Sequence, residues 1–434
     1  MKIAFVVLGS RGDVQPFVAI AKELIRRGIP AVILAQRLFQ PWIEREGIQF
    51  VDLPGHLTKD MSESLVAQAL TTGNMKLLLN DFYNKERLGK TVHQVLTYLK
   101  NDKDVTLVVC GPAVTFLAPM MHYLSDSMPG ISMDLTIWSL NSIVQSASSL
   151  VVHAPVLKHV RNLDFSEFSN INMVKAVLPP QRILPHYFAC SHNIMPRPSD
   201  WPADILVGGN VLYENRFGNN LLSPETEAFL DDGDAPVYIG FGSMAADLCT
   251  DFFAFINEVV EHSAQATRFI VKGITGKVGK FWPGTVVTSE PHNVLFSQCS
   301  VIVHHGGAGK TAEAARGGKP VVICTFCTDQ PLWAEYIAKT GAGINAGPFC
   351  SLTGKQLSAL INKAQEPKTT AAAKELGYRM REERGLENAC DWLTSLAGGD
   401  FALREELTWL EWFWTGFLSF FGFQFLSFTK KKSE

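Results

Sequence analysis

Short β-branched and aliphatic runs alternate with stretches of helical period along most of the chain. The opening run KIAFVVL reads as a strand, and VQPFVAIAKELIRRG after it as a helix. In that helix Phe17, Ile20, Ala21, Leu24 and Ile25 fall on one face, and Gly28 ends it before a second strand, IPAVILA. Residues 2–35 therefore read as one βαβ unit. QFVDLP, VTLVVCGP and PGISMDL continue the series as strands. After residue 230 the order repeats: APVYIGFGS is a strand, FFAFINEVVEHS an amphipathic helix, and TRFIVKG, TVVTSE, SVIVHHGG and PVVICTF are strands. The pattern predicts an α/β protein of two doubly wound, Rossmann-like domains in tandem. The stretch MPRPSDWPADILVGGN, rich in proline and glycine, joins them. Boundaries at 1–195, 196–214 (the linker) and 215–375 follow. Open α/β sheets take ligands outside the carboxyl ends of their strands, so the cleft between the domains is the expected site.

Composition narrows the classes. A chain of 434 residues, 47% hydrophobic, can bury two cores. Its formal net charge of −3 provides no general basic field, which argues against nucleic acid as a partner. The first residues, MKIAFVVLGSRGD, hold one lysine and too short an apolar run before Gly9 and Arg11 for a signal peptide. The eight cysteines are scattered through apolar segments and suit a reduced, cytosolic protein. Cys324 and Cys327 form a CxxC, but neither a second cysteine pair nor a histidine at zinc spacing accompanies it.

The densest chemistry lies in VIVHHGGAGKTAEAARGGKPVVICTFCTDQP, residues 301–331. A strand, a glycine-rich turn and a helix N-terminus make an anion site, because backbone N–H groups point outward and the helix dipole favours negative charge. GGAGKT is not a P-loop, since only two residues separate Gly306 from Gly309, and GxGxxG is absent. Neighbouring side chains on a strand point to opposite faces, so His304 suits the core and His305 the ligand side. His305 can donate to a phosphate, and Glu313 can accept both hydroxyl protons of a ribose. Asp329 and Gln330 suit a polyhydroxylated sugar, with a plain surface turn as the alternative. Together these groups would fit a nucleoside diphosphate carrying a sugar.

The same run resembles the donor signature of GT-B glycosyltransferases of the UDP-glycosyltransferase superfamily, in particular the sterol 3-β-glucosyltransferase and glycopeptide-antibiotic glycosyltransferase branch. GSRGDVQPFVAIAKEL, PRPSDWP, APVYIGFGSM and PHNVLF match further blocks of that pattern, in the same order, across most of residues 1–397. The resemblance implies that His305, Gly306, Gly307 and the backbone around Gly309 hold the diphosphate. It implies Glu313 for the ribose, Asp329 and Gln330 for the sugar, Ser243 for the phosphates from the other side, and the main chain near Val294 and Leu295 for the nucleobase. Helices over 376–397 would cross back to the first domain. The acceptor-activating base would be Asp13, three before Pro16, and a helix cap at Val14 is its alternative role. Three residues depart from the family pattern. Lys310 replaces a threonine and would pair with the diphosphate or crowd it. Thr328 narrows the sugar pocket, and Val294 stands where a tryptophan is common.

The implied activity is inverting transfer of a hexose, glucose from UDP-glucose, onto a hydroxyl of a lipophilic acceptor such as a sterol, triterpenoid or other secondary metabolite. The UDP-sugar is a co-substrate, and no cofactor or metal is expected. A non-catalytic nucleotide-sugar-binding protein and a sugar-nucleotide epimerase of the same fold are the alternatives. Joint retention of Asp13, His305, Glu313, Asp329 and Gln330 favours the transferase. Residues 398–434 form a hydrophobic tail with no charge from Trp412 to Thr429. Its aromatic residues suit a segment in a membrane interface, its length stands at the lower edge for a span, and packing in a core or on a partner is the third reading. The terminal lysines would favour an anionic cytosolic leaflet, and KKSE resembles an endoplasmic-reticulum retrieval signal.

Overall fold

A computed structural model describes residues 1–9, 11–54, 85–111, 130–134, 182–183, 186–197, 205–213, 222–241, 252–272, 279–280, 285–287, 290–326, 329–398 and 404–405. The apolar runs form two seven-stranded sheets. In the first, β1 (Lys2–Val6), β2 (Ala31–Gln36), β3 (Gln49–Leu53), β4 (Val105–Cys110) and β5 (Gly130–Asp134) stand in the order β3-β2-β1-β4-β5. Beyond the two-residue β6 (Arg182–Ile183), β7 (His186–Phe188) and β8 (Ile205–Val207) extend that sheet at its far edge. Every pairing in it is parallel.

The second sheet holds β9 (Val237–Gly240), β10 (Phe269–Lys272), β11 (Gly279–Lys280), β12 (Thr285–Val287), β13 (Val301–His304), β14 (Val321–Thr325) and β15 (Gly343–Pro348), in the order β11-β12-β10-β9-β13-β14-β15. Only the short β11 runs antiparallel to its neighbour. A last pair, β16 (Arg404–Glu405), lies against β6.

Helices cover the sheets. Alternate residues of the second sheet serve two separate cores, Tyr238, Ile270 and Ile302 on one face and Val237, Ile239, Val271 and Val303 on the other. Burial of both faces explains why these strands read as continuous apolar runs. On the first sheet, α1 (Arg11–Arg26) buries Val14, Phe17, Ile20, Ala21 and Leu24. The helix begins at Arg11 and not at Val14, so Asp13 lies inside its first turn and is not its cap. Also described in the first half are α2 (Gln40–Arg45) and α3 (Lys85–Asn101).

Around the second sheet run α4 (Pro224–Asp231), α5 (Phe252–His262), α6 (His292–Leu295), α7 (Ala308–Arg316), α8 (Gln330–Thr340), α9 (Gly354–Ala364) and α10 (Pro367–Arg381). Ala373, Leu376 and Met380 of α10 belong to the second core. The last described helix, α11 (Gly385–Ala397), packs Ala389, Cys390, Leu393 and Leu396 into the first core, and Arg27 meets Asp391 at 2.5 Å. The return between the halves therefore falls at 382–385. It is fastened there by Glu383, which accepts the Ser191 hydroxyl proton at 2.5 Å and an Asn193 amide N–H at 2.7 Å.

One boundary differs from the sequence reading. β8, an apolar ILV triplet, lies inside the stretch expected to be linker, and joins the first sheet. The tail beyond 405 and its membrane role lie outside the described residues. Among the described residues, no helix is long and apolar enough to cross a membrane.

Candidate active site

The carboxyl ends of β9, β10 and β13 lie side by side, with Lys272 opposite Gly240 and Gly240 opposite His304. After β13 the chain turns through His305, Gly306 and Gly307 into α7, whose N-cap is Gly307. Gly306 has φ +90°, and a Cβ there would stand 2.7 Å from Ile323 Cγ2 and 3.2 Å from Gln330 Cβ. Only glycine lets this turn lie against the turn that follows β14.

His304 is fully buried, and its Nδ1 accepts the Gly306 N–H at 2.9 Å. Burial holds its imidazole well below the usual range, and His305 and Lys310 push the same way. His305 follows at the start of the turn. Its Nδ1 is buried without a hydrogen-bond partner, and burial, followed by Lys310, lowers it to about 3. A neutral histidine with an unused nitrogen is a ready donor to a ligand oxygen.

The helix starts earlier than the glycine run suggests, so Gly309 and Lys310 lie in its first turn and not in a loop. Backbone N–H groups there have no intrahelical partner. Burial lowers Lys310 to about 8, with Lys272 adding to the effect and Glu313 opposing it. Glu313 lies one turn on. Burial raises its carboxyl to about 7 against the pull of Lys310 and Lys272. Opposed titration shifts in adjacent half-buried groups are common at functional sites.

Asp329 and Gln330 close the far side. They are buried rather than a surface turn. Asp329 is the N-cap residue of α8, and its carboxylate accepts the Trp333 indole N–H at 2.8 Å. The Gln330 side-chain carbonyl accepts the Phe326 N–H at 2.7 Å. Val294 and Leu295 sit in the single turn α6. Leu295 is fully buried and its N–H reaches Pro291 O, while Val294 O accepts the Ser297 hydroxyl proton. Ser243 and Thr328 lie outside the described residues.

On the opposite half, Asp13 stands at the carboxyl end of β1, half-buried in the first turn of α1. Gly9 has φ +148°, and a Cβ there would collide with the Asp13 carboxyl group. The glycine thus leaves room for the carboxylate to fold back over the strand end. Arg11, in the same turn, lies over the Trp42 ring at 4.8 Å. Lys272 of the other half is lowered by burial, and the charge of Arg11 pushes the same way.

Two residues of this site were missed by the sequence reading. His292 Nε2 lies 3.1 Å from the Tyr238 hydroxyl and 3.4 Å from Lys272 Nζ, and its Nδ1 lies 3.7 Å from Glu313. Burial, then Lys272 and Lys310, lowers His292 to about 2. The available signal was a lysine ending the apolar run FIVK, on the same sheet edge as His304.

Comparison with known proteins bears on the fold and the family. Residues 3–119 match the glycosyltransferase family 28 N-terminal domain, and residues 262–386 match the erythromycin biosynthesis protein CIII-like C-terminal domain. The chain is 28% identical to the O-mycaminosyltylonolide 6-deoxyallosyltransferase of Streptomyces fradiae, over 90% of this chain and 96% of that protein. It is 25% identical to a sterol 3-beta-glucosyltransferase of Arabidopsis thaliana, over 90% of this chain and 64% of that longer protein. Among solved structures it superposes on the calicheamicin glycosyltransferase with a TM-score of 0.68 at 16% identity, covering 92% of this chain and 98% of that one. The glycosyltransferase VinC, solved with DTDP, gives 0.67 at 17% identity, over 92% and 100%. The fold is GT-B.

Proposed function

We propose that this chain, a glycosyltransferase by its first matched domain and its relatives, is an inverting enzyme that moves glucose from UDP-glucose to a hydroxyl of a lipophilic acceptor. The sterol and O-mycaminosyltylonolide in the names of its relatives support that acceptor class. The observation that carries the reading is the convergence of His305, Lys310 and Glu313 around one helix N-terminus, with Asp13 at the carboxyl end of β1 in the other half.

In this reading the α7 N–H groups, His305 and Lys310 hold the diphosphate, and Glu313 accepts the ribose hydroxyls. Asp329 and Gln330 face the sugar, with Ser243 on the phosphates and the α6 turn beside the base. Asp13 takes the proton of the acceptor hydroxyl as its oxygen attacks the anomeric carbon. The bond from that carbon to the diphosphate oxygen breaks, and UDP leaves with the bonding pair. Lys310 and the helix N-terminus meet the charge that develops on the leaving group, so no metal is assigned to the step.

Incubation of the purified protein with radiolabelled UDP-glucose and a lipid extract tests the reading. Label should pass into the organic phase, and EDTA should leave the rate unchanged. Failure of UDP-glucose, with transfer from another nucleotide sugar, would correct the donor. No transfer from any nucleotide sugar would overturn the reading. A membrane role for the tail is a further part of the proposal, and co-sedimentation with anionic vesicles tests it.

A further inference from the structure

Lys272 ends β10 on the same face of the sheet as Ile270, which serves the core beneath α6 and α7. Its half-buried ammonium has three protons to donate. Among the described residues it meets a single acceptor, His292 Nε2 at 3.4 Å. That acceptor is fixed in place, since the His292 ring stacks on Phe296 at 4.8 Å and its Nε2 also faces the Tyr238 hydroxyl. With Nε2 accepting, the proton of a neutral imidazole resides on Nδ1, the nitrogen that faces Glu313. His292 thus lies between an ammonium on one side and the carboxylate on the other.

Lys310, nearby in the first turn of α7, makes no hydrogen bond or ion pair among the described residues. A cation at that end of a helix opposes the dipole and is tolerated where an anion completes the site. Glu290, the other carboxylate that bears on Lys272, already accepts the hydroxyl protons of Ser223 and Thr226. Two ammonium groups therefore share one carboxylate, Glu313, which His292 Nδ1 also faces at 3.7 Å.

We propose that Lys272 is a second diphosphate-binding residue, aimed by His292, and that it grips the donor from β10 while Lys310 grips it from α7. The proposal rests on the nucleotide-sugar reading above. Because the leaving diphosphate gains charge as the glycosyl bond breaks, Lys272 would also stabilise the transition state. Charge-assisted hydrogen bonds of this kind set the scale of the effect.

Calorimetric titration of the full chain with UDP and with uridine tests this. Lys272→Met should weaken UDP by about tenfold to a hundredfold, leave uridine unchanged, and reduce the salt dependence of UDP binding. Lys272→Arg should restore most of the UDP affinity while keeping the uridine value. Unchanged UDP affinity in the methionine variant would overturn the proposal, as would an equal loss for uridine, which would mark a structural role. If the methionine variant does not fold, Lys272→Gln is read in the same way. Wild-type protein that binds neither UDP nor uridine would instead refute the nucleotide-sugar reading.

Discussion

Replacing Glu313 by glutamine removes a charge that the folded protein accommodates at a cost. Burial moves this carboxyl from 4.5 to about 7. At about 1.4 kcal/mol for each pH unit, the ionised form destabilises the unliganded protein by about 3 kcal/mol. Between pH 4.5 and about 7 the folded state keeps a proton that the unfolded chain has released, so stability falls as pH rises through that window. Below it there is no penalty, and above it the penalty is complete. Glu313→Gln should therefore match the wild type at pH 4.5 and exceed it by up to about 3 kcal/mol at pH 8. The expected readout is a rise of several degrees in the melting midpoint of the domain that carries it. Ligand binding should move the other way, because the carboxylate is the form that accepts ribose hydroxyls. UDP affinity of the wild type should rise as Glu313 ionises through about 7 and fall as Lys310 loses its proton above about 8. The glutamine variant should lose the rising limb. Paired calorimetric melts and UDP titrations across pH 4.5 to 9 measure both. A variant no more stable than wild type at pH 8 would refute the burial argument, and a retained rising limb would remove Glu313 from ribose binding.

Three further substitutions probe the rest of the cleft. Asp13→Asn should cut turnover by about 10² to 10⁴ with UDP affinity nearly intact, and near-normal turnover would pass the role of base to another residue. His305→Ala should weaken UDP measured by calorimetry while acceptor binding holds, and normal UDP affinity would sink that assignment. Lys310→Thr should weaken UDP-glucose, and more so at low ionic strength where the charge is least screened. Tighter binding by the threonine form would show that the lysine crowds the site.

The strands were legible because parallel sheets buried on both faces demand continuous apolar runs, as in VVICT and FIVK. β15 escaped notice since its sequence, GINAGP, holds two glycines and a proline and lies on a sheet edge with little burial. β8 is only three residues long and lies among prolines and glycines that read as a linker. Both misplaced helix starts, at Arg11 and Ala308, involve glycine in the first turn, where propensity is poor and tertiary contacts decide. His305, Glu313 and Asp13 stood out because local spacing around a glycine turn exposes them. Lys272 and His292 did not, since their meeting depends on β10 and α6 being brought together across the sheet. The acceptor pocket was not legible at all, as amphipathic pattern alone does not specify shape.

The most direct test of inverting transfer from this cleft is the configuration at the anomeric carbon of the product. UDP-glucose carries its sugar in the α configuration, and one displacement by an acceptor oxygen deprotonated at Asp13 inverts it. Proton NMR of the glucoside made by the purified protein should therefore show the β anomer, with UDP released in equal amount. An α-linked product, or glucose released as the free sugar in place of a glucoside, would contradict the account.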